Sequence, residues 1–300
     1  MISMKGKNGR TVLGTWRRWS LAVLTIFGAL SVAACSPLRT FNALMPKDTG
    51  SKLLVQSAPY GADPRQTMDI YAPTAAAGKP LPIIVFIYGG SWNSGTKAGY
   101  NFVGRALAAR GFVVAVPDYR LVPQVRYPAF LEDNAAAVQW MIHHATDYNG
   151  NPQSVVLAGH SAGAYNAAML AYDPRWLGKD RQAVRAIIGL AGPYDFLPSK
   201  VKSVNDAFSG IADPASSQPI NRIAAGGAPA LLSTGDKDTV VFPVNSDKLA
   251  GKLRAAGITA ERKTYPSLGH VGLVTSIAKP LRGKAPVLDD MAAFAHKYAD

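Results

Sequence analysis

Residues 155–169 read VVLAGHSAGAYNAAM, with a serine at the join between a β-prone run and an alanine-rich stretch. A side chain presented at a sharp strand-to-helix turn needs strained backbone angles and very small neighbours. Gly159 and Gly163 on either side of Ser161 supply them. Val155–Gly159 ahead of the serine are apolar at every position, as expected of a strand covered on both faces in a parallel sheet between helical layers. That single stretch already commits much of the chain to an α/β fold.

The rest of the sequence repeats the alternation. Apolar or β-branched runs at 53–57, 67–71, 82–88, 112–117, 154–159, 186–191, 229–234 and 259–265 predict eight strands. Helical spacing fills 98–110, 130–146, 162–173, 244–256 and 287–298. The expected architecture is a mainly parallel eight-stranded sheet with helices on both faces. At 300 residues and 48% hydrophobic composition, the chain can build this as one large core. The last run is the most polar, as suits an edge strand. Residues 197–228 fit no element and are expected to form at most a small cap.

The N-terminus differs in kind. Lys5, Lys7, Arg10, Arg17 and Arg18 precede a short apolar run from Leu21 to Val32, the pattern of a secretory leader, too short to span a bilayer comfortably. Val32-Ala33-Ala34-Cys35 resembles a bacterial lipobox, and Cys35 is the chain's one cysteine. Residues 1–34 are thus expected to be a lipoprotein signal peptide, 35–51 a tether, and 52–300 the folded domain. Cys35 would carry the lipid that ties the exported protein to the cell envelope. Ser36 in place of an aspartate implies, by the same resemblance, the outer membrane. A plain cleavable signal beside a cysteine is the alternative. Without a second cysteine the domain holds together with no disulfide. Subtracting the five basic residues of 1–34 from the formal +13 leaves +8, which favours anionic surfaces such as headgroups. No basic run interleaved with aromatics suggests nucleic acid. No cluster has metal-ligand spacing, and no cofactor is implied.

Ser161 needs a base, and the base needs an orienting carboxylate. Of the five histidines, His160 sits inside the turn and strand alternation points it away from Ser161. His143 and His144 close a helix, and His296 lies in the last one. His270 follows the last strand on a glycine-flanked loop and is the expected base. Asp236 and Asp238 both follow the 229–234 strand. The Gly235-x-x-Asp238 spacing carries Asp238 round the turn toward the histidine, leaving Asp236 to hold the turn's backbone. The backbone N–H of Ala162 faces any oxyanion formed at Ser161, helped by the helix N-terminus. Gly90 and Ser91, in Tyr88-Gly89-Gly90-Ser91-Trp92 after the 82–88 strand, are expected to supply further donors.

With Ser161, Asp238 and His270 in that order, residues 52–298 resemble the α/β-hydrolase superfamily. They are most similar to its small carboxylesterases related to hormone-sensitive lipase and kynurenine formamidase. The resemblance rests on Gly89-Gly90-Ser91-Trp92, Asp118-Tyr119-Arg120-Leu121, Gly159–Gly163, Gly235-x-x-Asp238 and Gly269-His270. It implies hydrolysis of a small-molecule carboxylic ester. Where that branch has a histidine before the glycine pair, this chain has Tyr88, whose hydroxyl is expected to brace the oxyanion loop. The resemblance also implies that Arg120 pairs internally with an acid. Asp195, following a buried strand, is expected to be structural or to line the pocket. Trp92, Tyr194 and Phe196 are expected either to line an acyl pocket or to pack in the core. Two alternatives stay open: an amide or formamide hydrolase, and a surface-binding lipoprotein that keeps only the fold.

Overall fold

The computed structural model describes residues 37–75 and 78–300. The expected leader and the lipobox-like stretch ending at Cys35 therefore lie outside the described residues. Eight strands form one sheet in the order β1-β2-β4-β3-β5-β6-β7-β8. They are β1 (Ser51–Pro59), β2 (Thr67–Pro73), β3 (Leu81–Ile87), β4 (Val113–Pro117), β5 (Gly150–His160), β6 (Val184–Leu190), β7 (Ala230–Gly235) and β8 (Ala260–Tyr265). β2 pairs antiparallel with both β1 and β4, and every other pairing is parallel.

The burial of each strand follows its place. The central β3 buries all but its first residue and β5 is buried from Ser154 onward, and there the sequences run apolar through Pro82–Ile87 and Val155–Gly159. Edge strand β8 buries only its ends and carries Glu261, Arg262 and Lys263 along its length. Helices α2 (Asn101–Ala108) and α8 (Val287–Ala299) pack together against the sheet, as do α3 (Ala129–His143) and α4 (Ala162–Tyr172). Residues 197–228 carry the short helix α5 (Lys202–Ala207) and two 3₁₀ turns, and α6 (Val244–Ala255) lies between β7 and β8.

One boundary needs correction. Residues 35–51 were expected to be a tether, but from the first described residue the chain forms helix α1 (Pro37–Leu44), which packs onto the domain. Buried Asn42 clamps it, donating to the Ala98 carbonyl at 2.8 Å and accepting from the Phe102 N–H at 2.9 Å. Phe41 meets Phe102 edge to face at 5.4 Å. Behind the helix, the Arg282 guanidinium grips both oxygens of Asp48 at 2.8 and 2.6 Å. Leu38, Phe41 and Met45, at helical i, i+3, i+7 spacing, are the residues that pack inward.

Candidate active site

The parallel strands end at one edge of the sheet, and the chemistry gathers there. β5 runs directly into α4 through Ser161, whose backbone sits at φ 55°, ψ −124°. This strained turn exists because its flanks have no side chains. A Cβ on Gly163 would lie 1.9 Å from the Ile87 carbonyl oxygen, and one on Gly159 would lie 2.3 Å from that of Gly163. β5, α4 and β3 therefore touch backbone to backbone at the serine. Ala162 is the first residue of α4, so its N–H has no partner within the helix and faces outward with the positive end of the helix dipole.

The loop after β3 follows a left-handed path through Gly90, Ser91 and Trp92, with φ of 137°, 50° and 58°. It is closed by the N–H groups of Asn93 and Ser94, both donating to the Gly90 carbonyl. Gly90 and Ser91 border the cavity that Ser161 and His270 share. Tyr88 braces the loop from below. Its hydroxyl donates to Asp118 Oδ1 at 2.8 Å and accepts from Arg65 Nη2 at 2.8 Å. The same guanidinium nitrogen reaches the Gly95 carbonyl at 3.0 Å, so one network joins tyrosine, carboxylate and loop. The ring stacks on Tyr119 at 4.9 Å. Tyr88→Phe is expected to lower kcat about tenfold, the consequence of one lost hydrogen bond to a charged group. Unchanged kinetics would leave the tyrosine a packing role only.

His270, first residue of the short helix α7 (His270–Thr275), directs Nδ1 at Asp238 Oδ2, 2.8 Å away. Asp238 is buried, and its other oxygen accepts the N–H groups of Val240 and Val241, both at 2.9 Å. Burial alone would raise this carboxyl's pKa. The hydrogen bond from His270 and those two N–H groups outweigh it and hold the pKa below the ordinary range. Nδ1 of the imidazole therefore carries the proton and Nε2 is left free as a base. Asp236 lies outside this arrangement and accepts the Ser267 N–H at 2.7 Å. Arg120 forms its ion pair with buried Asp133 at 2.7 Å, and Asp195 pairs with Lys248 at 2.6 Å.

The three residues expected at the acyl pocket divide two to one. Trp92 and Phe196 line a chamber beside Ser161, with their rings stacked 5.7 Å apart. Tyr194 does not. The turn at Gly192-Pro193 sends its ring back under the sheet edge, where it is fully buried in the space left by Gly189 and Gly192.

The sequence reading also set aside a residue that belongs here. His160 is the last residue of β5, and its ring lies against that of His270 with centroids 4.8 Å apart. Its Nε2 bonds the His270 carbonyl at 3.1 Å. A carbonyl only accepts, so Nε2 carries the hydrogen. Nδ1 is then bare, buried, and without a partner among the described residues. Burial, and next the charge of His270, push the pKa of His160 down to about 3 from 6.5. The unfolded chain therefore takes up a proton at this site that the folded chain refuses. Stability is fully present above about pH 6.5 and is lost progressively as pH falls toward 3. Asp238 adds a loss in the same direction only near and below its ordinary 3.8. Urea titrations between pH 7 and 4.5 are expected to show this loss in wild type and a smaller one in His160→Gln.

Together these features define a class. A serine at a strained strand–helix turn, a His–Asp pair on later loops of the same sheet edge, and a glycine loop after β3 are the site of an α/β-hydrolase. The fold agrees with solved structures. *Thermogutta terrifontis* esterase 2 superposes with a TM-score of 0.69 at 20% identity, covering 84% of this chain and 96% of that one. A truncated carbohydrate esterase from gut microbiota gives 0.68 at 20% identity, with the same two coverages. In sequence, Carboxylesterase NlhH of *Mycobacterium tuberculosis* is 30% identical over 230 residues, 68% of this chain and 70% of that protein. Esterase LipC of the same organism is 30% identical over 239 residues, 70% of this chain, and the match spans only 58% of LipC. The model of the family described as BD-FAE matches residues 68–253. The chain belongs to that family of α/β-hydrolase esterases.

Proposed function

We propose that this protein is an exported, lipid-anchored carboxylesterase working through an acyl-enzyme. The observation that carries the catalytic reading is the 2.8 Å contact between His270 Nδ1 and buried Asp238, with His270 lining one cavity together with Ser161. Ser161 Oγ attacks the ester carbonyl carbon while His270 Nε2 takes its proton, and Asp238 stabilises the imidazolium. The N–H groups of Gly90, Ser91 and Ala162 hold the oxyanion. Collapse breaks the bond to the alcohol oxygen, which receives the proton from His270. Water, deprotonated by the same imidazole, then releases the acid and restores Ser161.

Purified protein should hydrolyse p-nitrophenyl acetate, and a fluorophosphonate probe should label Ser161. Faster turnover of N-formyl amides than of esters would replace this reading by an amidase. Absence of both turnover and label would leave a binding protein on a hydrolase fold.

The anchor rests on the basic head, apolar run and Val32-Ala33-Ala34-Cys35 of the sequence. Cells grown with labelled palmitate should mark the wild type and leave Cys35→Ala unlabelled. Label on both would refute lipidation at this cysteine.

A further inference from the structure

The space at Ser161 is divided in two. One chamber, about 730 Å³, includes His270 and is walled by Leu38, Phe41, Tyr100, Val271 and Val274. The other, about 310 Å³, includes Ala162 and is walled by Trp92, Phe196, Val204 and Phe242. Ser161, Ser91 and Val240 border both.

The reaction itself says which part of an ester each chamber takes. When the tetrahedral intermediate collapses, the departing oxygen must meet the proton on His270 Nε2. The group attached to that oxygen therefore extends into the chamber that His270 lines. The acyl substituent leaves the same carbon in another direction, into the chamber beside Ala162. The leaving group thus has more than twice the room of the acyl group.

The walls differ in kind as well as size. Among the described residues, no Asp, Glu, Lys or Arg lines the larger chamber, and its polar groups away from the reacting centre are mainly the hydroxyls of Ser94, Thr96 and Thr275. A polyhydroxylated or charged alcohol would lose its water there without replacement partners. The smaller chamber has a rigid floor. Trp92 is buried, donates through Nε1 to Asn166 Oδ1 at 3.1 Å, and stacks between Phe130 and Phe196. Long acyl chains would have to displace it.

We propose that the substrates are esters of a short acyl group with a bulky, apolar alcohol, and that Leu38 and Phe41 of α1 set the alcohol preference. The inference rests on the esterase reading above. α1 lies ahead of the 68–253 segment that matches the family, and the Asn42 clamp holds it as a fixed wall.

The test is a pair of substrate series followed in a pH-stat. Along acetates of ethanol, butanol, octanol and menthol, kcat/KM should rise by about tenfold or more, the scale of apolar pocket discrimination. Along ethyl esters of acetic, butyric and octanoic acid it should fall. Acetylated sugars should be poor substrates.

Leu38→Trp fills the larger chamber. It should lower kcat/KM for octyl acetate about tenfold relative to that for ethyl acetate, mainly through KM, and keep the order of the acyl series. Leu38→Ala, which removes volume at a half-buried site, should weaken the octyl preference and guards against misfolding of the tryptophan variant.

A variant that shifts the acyl series alone would reverse the assignment of the chambers. A wild type indifferent to alcohol size, or faster on sugar acetates, would overturn the proposal with the esterase reading intact. No turnover of any ester and no probe label at Ser161 would overturn both.

Discussion

Replacing Ser161 by alanine will lower kcat/KM on p-nitrophenyl acetate by about 10⁵-fold, equivalent to about 7 kcal/mol of lost transition-state stabilisation. The protein should remain folded. Alanine keeps the same Cβ, so the strain at φ 55°, ψ −124° is the same in both proteins. The Ser161 N–H still donates to the Leu190 carbonyl at 2.8 Å, and the Ser161 carbonyl still accepts from Ala164 and Tyr165. Only a hydroxyl facing the cavity is lost, and the thermal midpoint should be unchanged or slightly higher. Fluorophosphonate labelling should vanish with the activity. What survives will be the smaller acceleration that the oxyanion donors and the chambers give to direct attack by water. Activity within tenfold of wild type would show that another nucleophile does the work.

The strand–turn–helix at 155–169 was readable because every force there points one way. The strand needs apolar residues, the turn needs glycine, and the helix needs small residues against β3. The same holds for β3 and β4, and for β6 from Ala186 onward, where burial on both faces leaves a continuous apolar run. α1 was harder to read. Its eight residues sit between a cysteine and the turn-forming Pro46-Lys47-Asp48-Thr49-Gly50, and the polar residues around Leu38, Phe41 and Met45 dilute the signal. The i, i+3, i+7 spacing was present, but what turns it into a helix is long-range: Asn42 reaching Ala98 and Phe102, and Arg282 reaching Asp48.

His160 shows another limit. Alternation along β5 says which face a side chain leaves from. It does not say that α7 will fold back and set the ring of His270 against it. Tyr194 fails for the opposite reason. An aromatic after a strand end is a fair pocket residue until the turn at Gly192-Pro193 reverses its direction, and one sequence carries no signal of that reversal.

Asp238→Asn should separate the two aspartates that the sequence left side by side, with an expected fall in kcat of about 10⁴-fold. The geometry dictates why so conservative a change is so damaging. Oδ1 of Asp238 accepts the N–H groups of Val240 and Val241, and only an oxygen can stay there. The amide NH₂ of an asparagine must then face His270 Nδ1, where the carboxylate oxygen now sits at 2.8 Å. Two donors cannot share that contact, so the imidazole moves its proton to Nε2. In that tautomer Nε2 cannot accept a proton from Ser161, and the nucleophile stays neutral although every heavy atom is in place. Asp236→Asn is the matched control. Its oxygen accepts the Ser267 N–H at 2.7 Å, an asparagine oxygen does the same, and activity should stay within about threefold of wild type. If instead Asp236→Asn were the inactive variant and Asp238→Asn the active one, the Asp238–His270 pair would be a structural contact and the acid of the triad would have to be sought on the preceding turn of the same loop.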